Sequence, residues 1–258
     1  MKRNLKRPET AGINDILSRD GGNFALFLDF DGTLVDIAPT PGAAVAPPGL
    51  PELLARLEAL LGGALAVVSG REIADIDHRL RPFCGRAAGV HGAEIRFDPK
   101  GAVTKQGALD PSVLAGVRRV AAPDPRLLIE DKSESVAIHY RGAADAMPGL
   151  ERALEEVAAA APDGLLLLRG RMVFEILRAG VSKGEAVSRF MAAAPFAGRR
   201  PVMVGDDRTD VAAIEACIAH GGYGFRVAGG LFSKGEAEFS DPAAVRAWLA
   251  DLAAGLSS

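Results

Sequence analysis

An α/β protein with a doubly wound parallel-sheet core and an inserted α+β module containing an antiparallel sheet is the fold class that the 258-residue sequence predicts, on three observations. Runs at 24–29, 64–69 and 201–204 are almost wholly apolar, so both faces of each strand must be covered, and amphipathic stretches separate them. That alternation marks a parallel sheet packed under helices. Between 109 and 179 the texture changes to helix, strand, strand, repeated once, with strand links too short for a crossover, so these pairs run antiparallel. After 180 the first pattern resumes. The expected division is therefore a core over 1–108 and 180–258, with the insert over 109–179.

The elements follow in order. A strand at 24–29 leads through a Pro- and Gly-rich loop at 39–51 to an amphipathic helix at 52–61. A strand at 64–69 ends in Ser-Gly-Arg and precedes a helix at 72–80. A third strand is expected at 87–90 and a hairpin over 93–106, with Asp98-Pro99-Lys100-Gly101 as its turn. The insert runs as helix 111–122, strands 126–132 and 135–141, helix 144–161, and strands 164–169 and 171–177. The returning core has a helix at 183–191, a strand at 201–204 that ends in Gly-Asp-Asp, a helix at 209–219 and a closing helix at 242–253. An insert at this point lies over the edge where the strands end, which is where open α/β sheets bind ligands.

Composition narrows the function classes. With 48% hydrophobic residues the chain can bury a sizeable core, and a formal charge of -3 gives no general adhesion to nucleic acid or to an anionic membrane. The expected partner is a small molecule. Cys84 and Cys217 lie far apart, with no CxxC pair and no metal spacing to the histidines, so they read as buried reduced thiols. Lys2, Arg3, Lys6 and Arg7 resemble a signal-peptide start, but residues 9–22 are polar and no apolar segment follows. No run approaches the ~18 apolar residues of a membrane span. The expectation is a cytoplasmic protein with a frayed N-terminus.

The chemistry is concentrated where strands end. Asp29 and Asp31 stand two apart after an apolar strand, so their carboxylates come close unless the backbone turns, and close carboxylates need a proton or a cation. A hard divalent ion such as Mg2+ takes oxygen ligands. Gly205-Asp206-Asp207 supplies further carboxylates at the same sheet edge. A purely structural metal site is the plain alternative, and the other strand ends argue against it. Ser69 offers a hydroxyl, Gly70 accessible backbone N–H, Lys183 an ammonium at a helix start and Thr33 another hydroxyl, the donors a phosphate dianion needs beside a metal. Singly, a Ser-Gly is most often just a turn and a helix-start Lys a solvated charge. Their order and placement carry the signal.

DxDGT with apolar flanks, then Ser69, then Lys183, then Gly205-Asp206-Asp207 resembles the four motifs of the haloacid dehalogenase superfamily of phosphotransferases. The resemblance implies that Asp29 is the nucleophile that forms an aspartyl phosphate, and that Asp31 is the general acid and then base, with its main-chain carbonyl on the metal. It implies Mg2+ held by Asp29, Asp31 and Asp206, with Asp207 and Asp210 orienting ligands from nearby. Thr33, Ser69, Gly70 and Lys183 would bind the phosphoryl group.

In the insert, Glu130 and Lys132 share one strand face and Glu175 stands among apolar neighbours. They are either solvated strand positions or a polar face over the catalytic rim, and a mix of carboxylates and ammonium suits a polyol. "DFDGTLVDI", "VVSGR", "GVHGAEIR", "EDKSESVAIHYR", "RGRMVFEIL", "VSKGEAV" and "VMVGDDRTD" look like successive landmarks of trehalose-phosphate phosphatases, from Phe24 to Asp210. This narrower resemblance implies trehalose 6-phosphate as substrate, with Glu130, Lys132 and Glu175 gripping the sugar, Arg71, His91 and Arg141 as helpers, and a trehalose-phosphate synthase as functional partner. One departure is Val211-Ala-Ala-Ile after Asp210, where such enzymes often continue with acidic residues. No Walker loop or GxGxxG occurs, so nucleotide cofactors lack support. The alternatives are a phosphatase for sucrose phosphate or mannosyl-phosphoglycerate, a sugar phosphomutase, and a non-catalytic phospho-switch. Against the switch stand Asp31 and an insert of roughly 70 residues, more than a receiver needs.

Overall fold

The first strand of the structure, β1 (Phe24–Leu28), is buried at every position, as a strand covered on both faces must be. The computed structural model describes residue 13, residues 23–162 and residues 164–257; the expectation of a frayed N-terminus falls outside them. β1 is followed by α1 (Leu50–Leu60), β2 (Leu65–Val68), α2 (Ile73–Arg79) and β3 (Arg86–Gly89). The hairpin strands β4 (Glu94–Arg96) and β5 (Thr104–Lys105) come next. α1 forms because Pro51 presets its first turn and Leu50, Leu54 and Leu57 recur on one buried stripe.

The insert comprises α3 (Pro111–Ala121), β6 (Leu128–Asp131), β7 (Ser135–His139), α4 (Met147–Ala160), β8 (Leu165–Gly170) and β9 (Val173–Arg178). The chain then returns through α5 (Lys183–Met191), β10 (Arg200–Gly205), α6 (Arg208–Ala219), β11 (Tyr223–Arg226) and α7 (Pro242–Gly255). β11 is a strand that the sequence pattern did not disclose. It is only four residues long, with one fully buried position, so an edge strand of this kind carries almost no apolar periodicity.

The large sheet has the order β11-β10-β1-β2-β3-β4-β5. Pairing from β11 to β3 is parallel, and β3–β4 and β4–β5 are antiparallel. From β1 the chain winds outward one way through β2 and β3, and later the other way through β10 and β11. Right-handed crossovers then place the connecting helices on opposite faces. The reversal lies between β1 and β10, whose carboxyl ends carry Asp29 and Asp206. That junction is the crevice where such sheets take their ligands.

Below the crevice the core is aromatic and aliphatic: Phe27 stacks on Phe196 at 5.3 Å and tilts against Phe190 at 6.0 Å. Each such fully buried side chain contributes about 1.5–3 kcal/mol. The small sheet, ordered β6-β7-β9-β8, is antiparallel throughout. One face packs on α3 and α4 through Val113, Val117, Leu154, Val136, Ile138 and Phe174. A third apolar cluster, Val90, Ala93, Leu177 and Val181, with Leu166 and Leu168 against it, joins the small sheet's other face to the core. No helix among the described residues is long and apolar enough to cross a membrane.

Candidate active site

Asp29 directly follows β1 with only 3% of its surface exposed, and Lys183, the first residue of α5, points at it. The Ser182 hydroxyl accepts from the Glu185 amide at 3.0 Å and fixes the start of that helix. Such a cap is worth about 1 kcal/mol, and here it also aims the next residue inward. Lys183 Nζ donates to Asp29 Oδ1 at 2.7 Å and to Asp210 Oδ1 at 2.6 Å. Asp210 Oδ2 accepts from the backbone amides of Asp206 and Asp207, both at 3.0 Å. Asp210 therefore ties the end of β10 to the first turn of α6.

Asp29, Asp206 and Asp210 bring one oxygen each within 4.8 Å of one another. Against one ammonium, three ionised carboxylates would leave two negative charges uncompensated. Burial, with the charge of Asp210 added and that of Lys183 subtracting, pushes Asp29 up to about 7. Burial, with the charges of Asp29 and Asp210 added, pushes Asp206 up to about 9. Lys183 is held above its ordinary value, because Asp210 and Asp29 outweigh the burial that opposes its charge. Among the described residues, Asp206 Oδ1 is buried with no hydrogen-bond partner. Gly32 has φ +84, and a Cβ there would collide with the Asp206 carboxylate. The glycine of the DxDG motif thus supplies both the backbone turn and the close approach. A missing two units of positive charge, an orphan carboxylate oxygen and an all-oxygen donor set fit a hard divalent cation.

Several residues have partners that the sequence did not disclose. The Asp31 carboxylate does not join this cluster; it takes a two-pronged bond from Arg71, Nε to Oδ2 at 2.5 Å and Nη2 to Oδ1 at 2.7 Å. Arg71 also donates to Asp75 at 2.5 Å and lies 5.5 Å from the centre of the Phe30 ring. It therefore braces Asp31 while also lining the cavity that opens above Asp29. Thr33 is fully buried, lies off the cavity wall, and its hydroxyl has no partner among the described residues. The turn at Gly32 carries it into the core, so its side chain is not presented to a phosphate. Arg141 donates to the carbonyls of Ala38 and Pro39, at 2.8 and 2.7 Å, and straps the small sheet to the loop after β1.

A cavity of about 230 Å³ opens above Asp29 and Asp206. Its floor holds Ser69, Gly70, Lys183 and Asp207, and its roof Glu130, Lys132 and Glu175. Glu175 is 4% exposed and accepts from Lys132 at 3.1 Å and from the Ser135 hydroxyl, and its other oxygen faces His91 Nε2 at 3.0 Å. Burial would raise its pKa, but Lys132 and His91 outweigh it and hold the carboxyl well below its usual range. Glu130 is lowered by a 2.9 Å bond with His139 against the opposing effect of burial. Ser135 and His139 were missed from the sequence. The signal was available: in β7 they share one face with Ala137, opposite the apolar Val136 and Ile138.

Comparison with known proteins follows the same lines. A family model described as trehalose-phosphatase matches residues 27–227. A probable trehalose-phosphate phosphatase of Sinorhizobium fredii (strain NGR234) is 43% identical over 82% of this chain and 80% of its own length. A trehalose-6-phosphate phosphatase of Escherichia coli K12 is 36% identical over 80% of this chain and 78% of its own. Among solved structures, a phosphatase of the haloalkanoate (HAD) enzyme superfamily from Bacteroides thetaiotaomicron has a TM-score of 0.59 at 16% identity, over 90% of this chain and 95% of that one. That last likeness is one of fold.

Proposed function

The chain belongs to the trehalose-phosphatase family, and on that premise we propose that it hydrolyses trehalose 6-phosphate to trehalose and phosphate through an aspartyl-phosphate intermediate. One observation carries the reading: a single cavity is floored by Asp29, Lys183 and Asp206 and roofed by Glu130, Lys132 and Glu175. A phosphoryl-transfer floor thus faces a roof of acceptors and donors suited to sugar hydroxyls.

In the proposed first step an Asp29 oxygen forms a bond to phosphorus, the bond from phosphorus to the sugar oxygen breaks, and Asp31 gives that oxygen a proton. In the second step Asp31 removes a proton from water, the water oxygen attacks phosphorus, and Asp29 departs with phosphate released. Lys183 is placed to donate to the transferring oxygens and Ser69 to hold another, while Asp210 keeps Lys183 charged and aimed. Arg71 aims Asp31, and one prong of that pairing opens for Asp31 to carry the proton. Asp29, Asp206 and the Asp31 carbonyl would hold Mg2+, with Asp207 close by. When bound, the ion supplies positive charge against the phosphoryl oxygens. The reading puts the chain in the cytoplasm, after a trehalose-phosphate synthase that supplies the substrate.

The test is phosphate release with Mg2+ across trehalose 6-phosphate, sucrose phosphate, mannosyl-phosphoglycerate and glucose 6-phosphate. The highest kcat/KM is expected on the first. A preference for another member of the panel overturns the substrate, an isomerised sugar phosphate points to a mutase, and a single stoichiometric phosphorylation without turnover overturns hydrolysis.

A further inference from the structure

The Ser69–Gly70–Arg71 loop, which floors the cavity, has three successive carbonyls, and each receives a hydrogen bond from a different residue. The Ser69 carbonyl accepts from His91 N at 3.0 Å and the Arg71 carbonyl from Val90 N at 2.8 Å. Both donors belong to the turn after β3, where Val90, His91 and Gly92 have φ of 46, 55 and 110. A β-branched residue at positive φ is costly, so packing must enforce this turn, and Val90 is wholly buried. The middle carbonyl, that of Gly70, has its donor outside the core: Lys132 Nζ, at the end of β6, lies 2.9 Å away.

That bond bears on the phosphate site through one peptide plane. The Gly70 carbonyl and the Arg71 N–H belong to the same planar unit, so orienting one orients the other. Arg71 N donates to Ser69 Oγ at 3.2 Å, which occupies an acceptor position of the hydroxyl and leaves its own proton to be donated into the cavity. A polar chain therefore runs from Lys132 through the Gly70–Arg71 peptide to the Ser69 hydroxyl, and such chains polarise one another. Lys132 is itself 6% exposed and held by Glu175, which also meets His91, the residue whose amide holds the neighbouring carbonyl. The His91 ring lies so close over Gly70 that a Cβ there would stand 2.6 Å from it. Glycine at this position lets the histidine close the ring of contacts.

We infer that Lys132 is a positioning residue of the phosphate site: held by Glu175, its ammonium sets the Gly70–Arg71 peptide and through it the Ser69 hydroxyl, so the phosphate-binding loop is complete only when the small sheet is seated on the core. The inference rests on the phosphatase reading of the cavity, and extends it by giving Lys132 a task that needs no sugar.

Its test therefore uses ligands without one. The variants K132M, K132R, S69A and the double K132M/S69A are assayed with Mg2+ on p-nitrophenyl phosphate. The shift in Tm on adding inorganic phosphate reads the same loop without turnover. K132M is expected to lower kcat/KM on the aryl phosphate between about 10- and 100-fold, the scale of a misplaced catalytic contact. It should also shrink the phosphate-induced shift, and K132R, which keeps a cationic donor, should recover part of both. The losses in K132M and S69A should fall short of additive, since both act on one hydroxyl. Wild-type values for K132M on both sugar-free readouts, or additive losses in the double variant, overturn the inference. Should K132M fold poorly, E175Q, which keeps the shape and removes the charge that holds Lys132, must reproduce the loss on both readouts or the inference falls. A wild type that turns over the aryl phosphate but not trehalose 6-phosphate overturns the substrate alone.

Discussion

The cavity's floor and roof are both built from buried charged residues, yet their carboxylates are shifted in opposite directions. On the floor Asp29 and Asp206 rise to about 7 and about 9, because burial and mutual repulsion exceed what Lys183 returns. On the roof Glu175 is lowered, because Lys132, His91 and Ser135 outweigh an equally complete burial. The floor is short of positive charge and, among the described residues, has a carboxylate oxygen with no partner; on the roof both Glu175 oxygens are met by donors or His91, and the buried atom without a partner is the His91 ring nitrogen Nδ1. A carboxylate cluster left uncompensated is suited to an ion and a migrating phosphoryl group. A self-paired cluster keeps its charges balanced while its remaining donor and acceptor positions take up neutral hydroxyls.

The largest effect should come from removing the charge at the centre of the floor. Asp29→Asn is expected to reduce turnover by roughly 10³-fold or more. Its Tm without metal should equal or exceed that of the wild type, because a repelling carboxylate is gone. Thermal unfolding beside a phosphate-release assay checks both halves. A variant that lost stability instead would break the claim that the floor is under-compensated.

Next in size is the response to Mg2+ and pH. Asp29 and Asp206, whose ordinary pKa is 3.8, keep protons in the folded metal-free chain that the unfolded chain has released. Folded-state pKa values raised in this way make metal-free stability fall as pH rises from about 4 towards 9. A bound cation expels those protons, so its affinity rises over the same interval. The Mg2+-induced gain in Tm should be larger at pH 8 than at pH 6, and EDTA should abolish activity reversibly. An equal gain at both values would contradict the pKa shifts.

On the roof, Glu130 and the Lys132–Glu175 pair part company. Among the described residues the Glu130 carboxylate bonds His139 at 2.9 Å, whereas Lys132 reaches the Gly70 carbonyl. Glu130→Ala should cut kcat/KM on trehalose 6-phosphate by roughly 5- to 150-fold, the equivalent of ~1–3 kcal/mol, while p-nitrophenyl phosphate turnover stays near wild type. Parallel kinetics on both substrates decide it; equal losses would make Glu130 a support of the fold.

The smallest effect marks the limit of the comparison. Arg152 and Glu156 form an exposed i,i+4 pair at 3.5 Å on α4, with neither partner buried. Glu156→Gln should alter stability by less than about 0.5 kcal/mol, measured as a urea midpoint. A larger change would mean that charge matters here beyond the cavity.

Much of this was legible without coordinates wherever the chemistry is local in the chain. Strands buried on both faces announce themselves by unbroken apolar runs, and a carboxylate or hydroxyl that ends such a run must lie at the sheet's rim. Hence Asp29, Ser69 and Asp206 could be placed together, and Lys183 with them, from order alone. The insert was legible because two strands joined by a tight turn can pair only antiparallel. β11 escaped notice because four residues at a sheet edge leave no periodic trace.

What only the tertiary structure decided is which charged group meets which. Arg71 and Asp31, Arg141 and the Ala38 carbonyl, Lys132 and the Gly70 carbonyl are separated by 40, 103 and 62 positions, and no period or spacing in one sequence encodes such pairs. A residue's type sets what it can donate or accept, and its place in a strand sets the face it occupies. Its partner depends on how one sheet is seated over another, which is settled by packing of the whole core. For that reason Thr33 turned inward, Arg71 met Asp31, and Lys132 reached the Gly70 carbonyl.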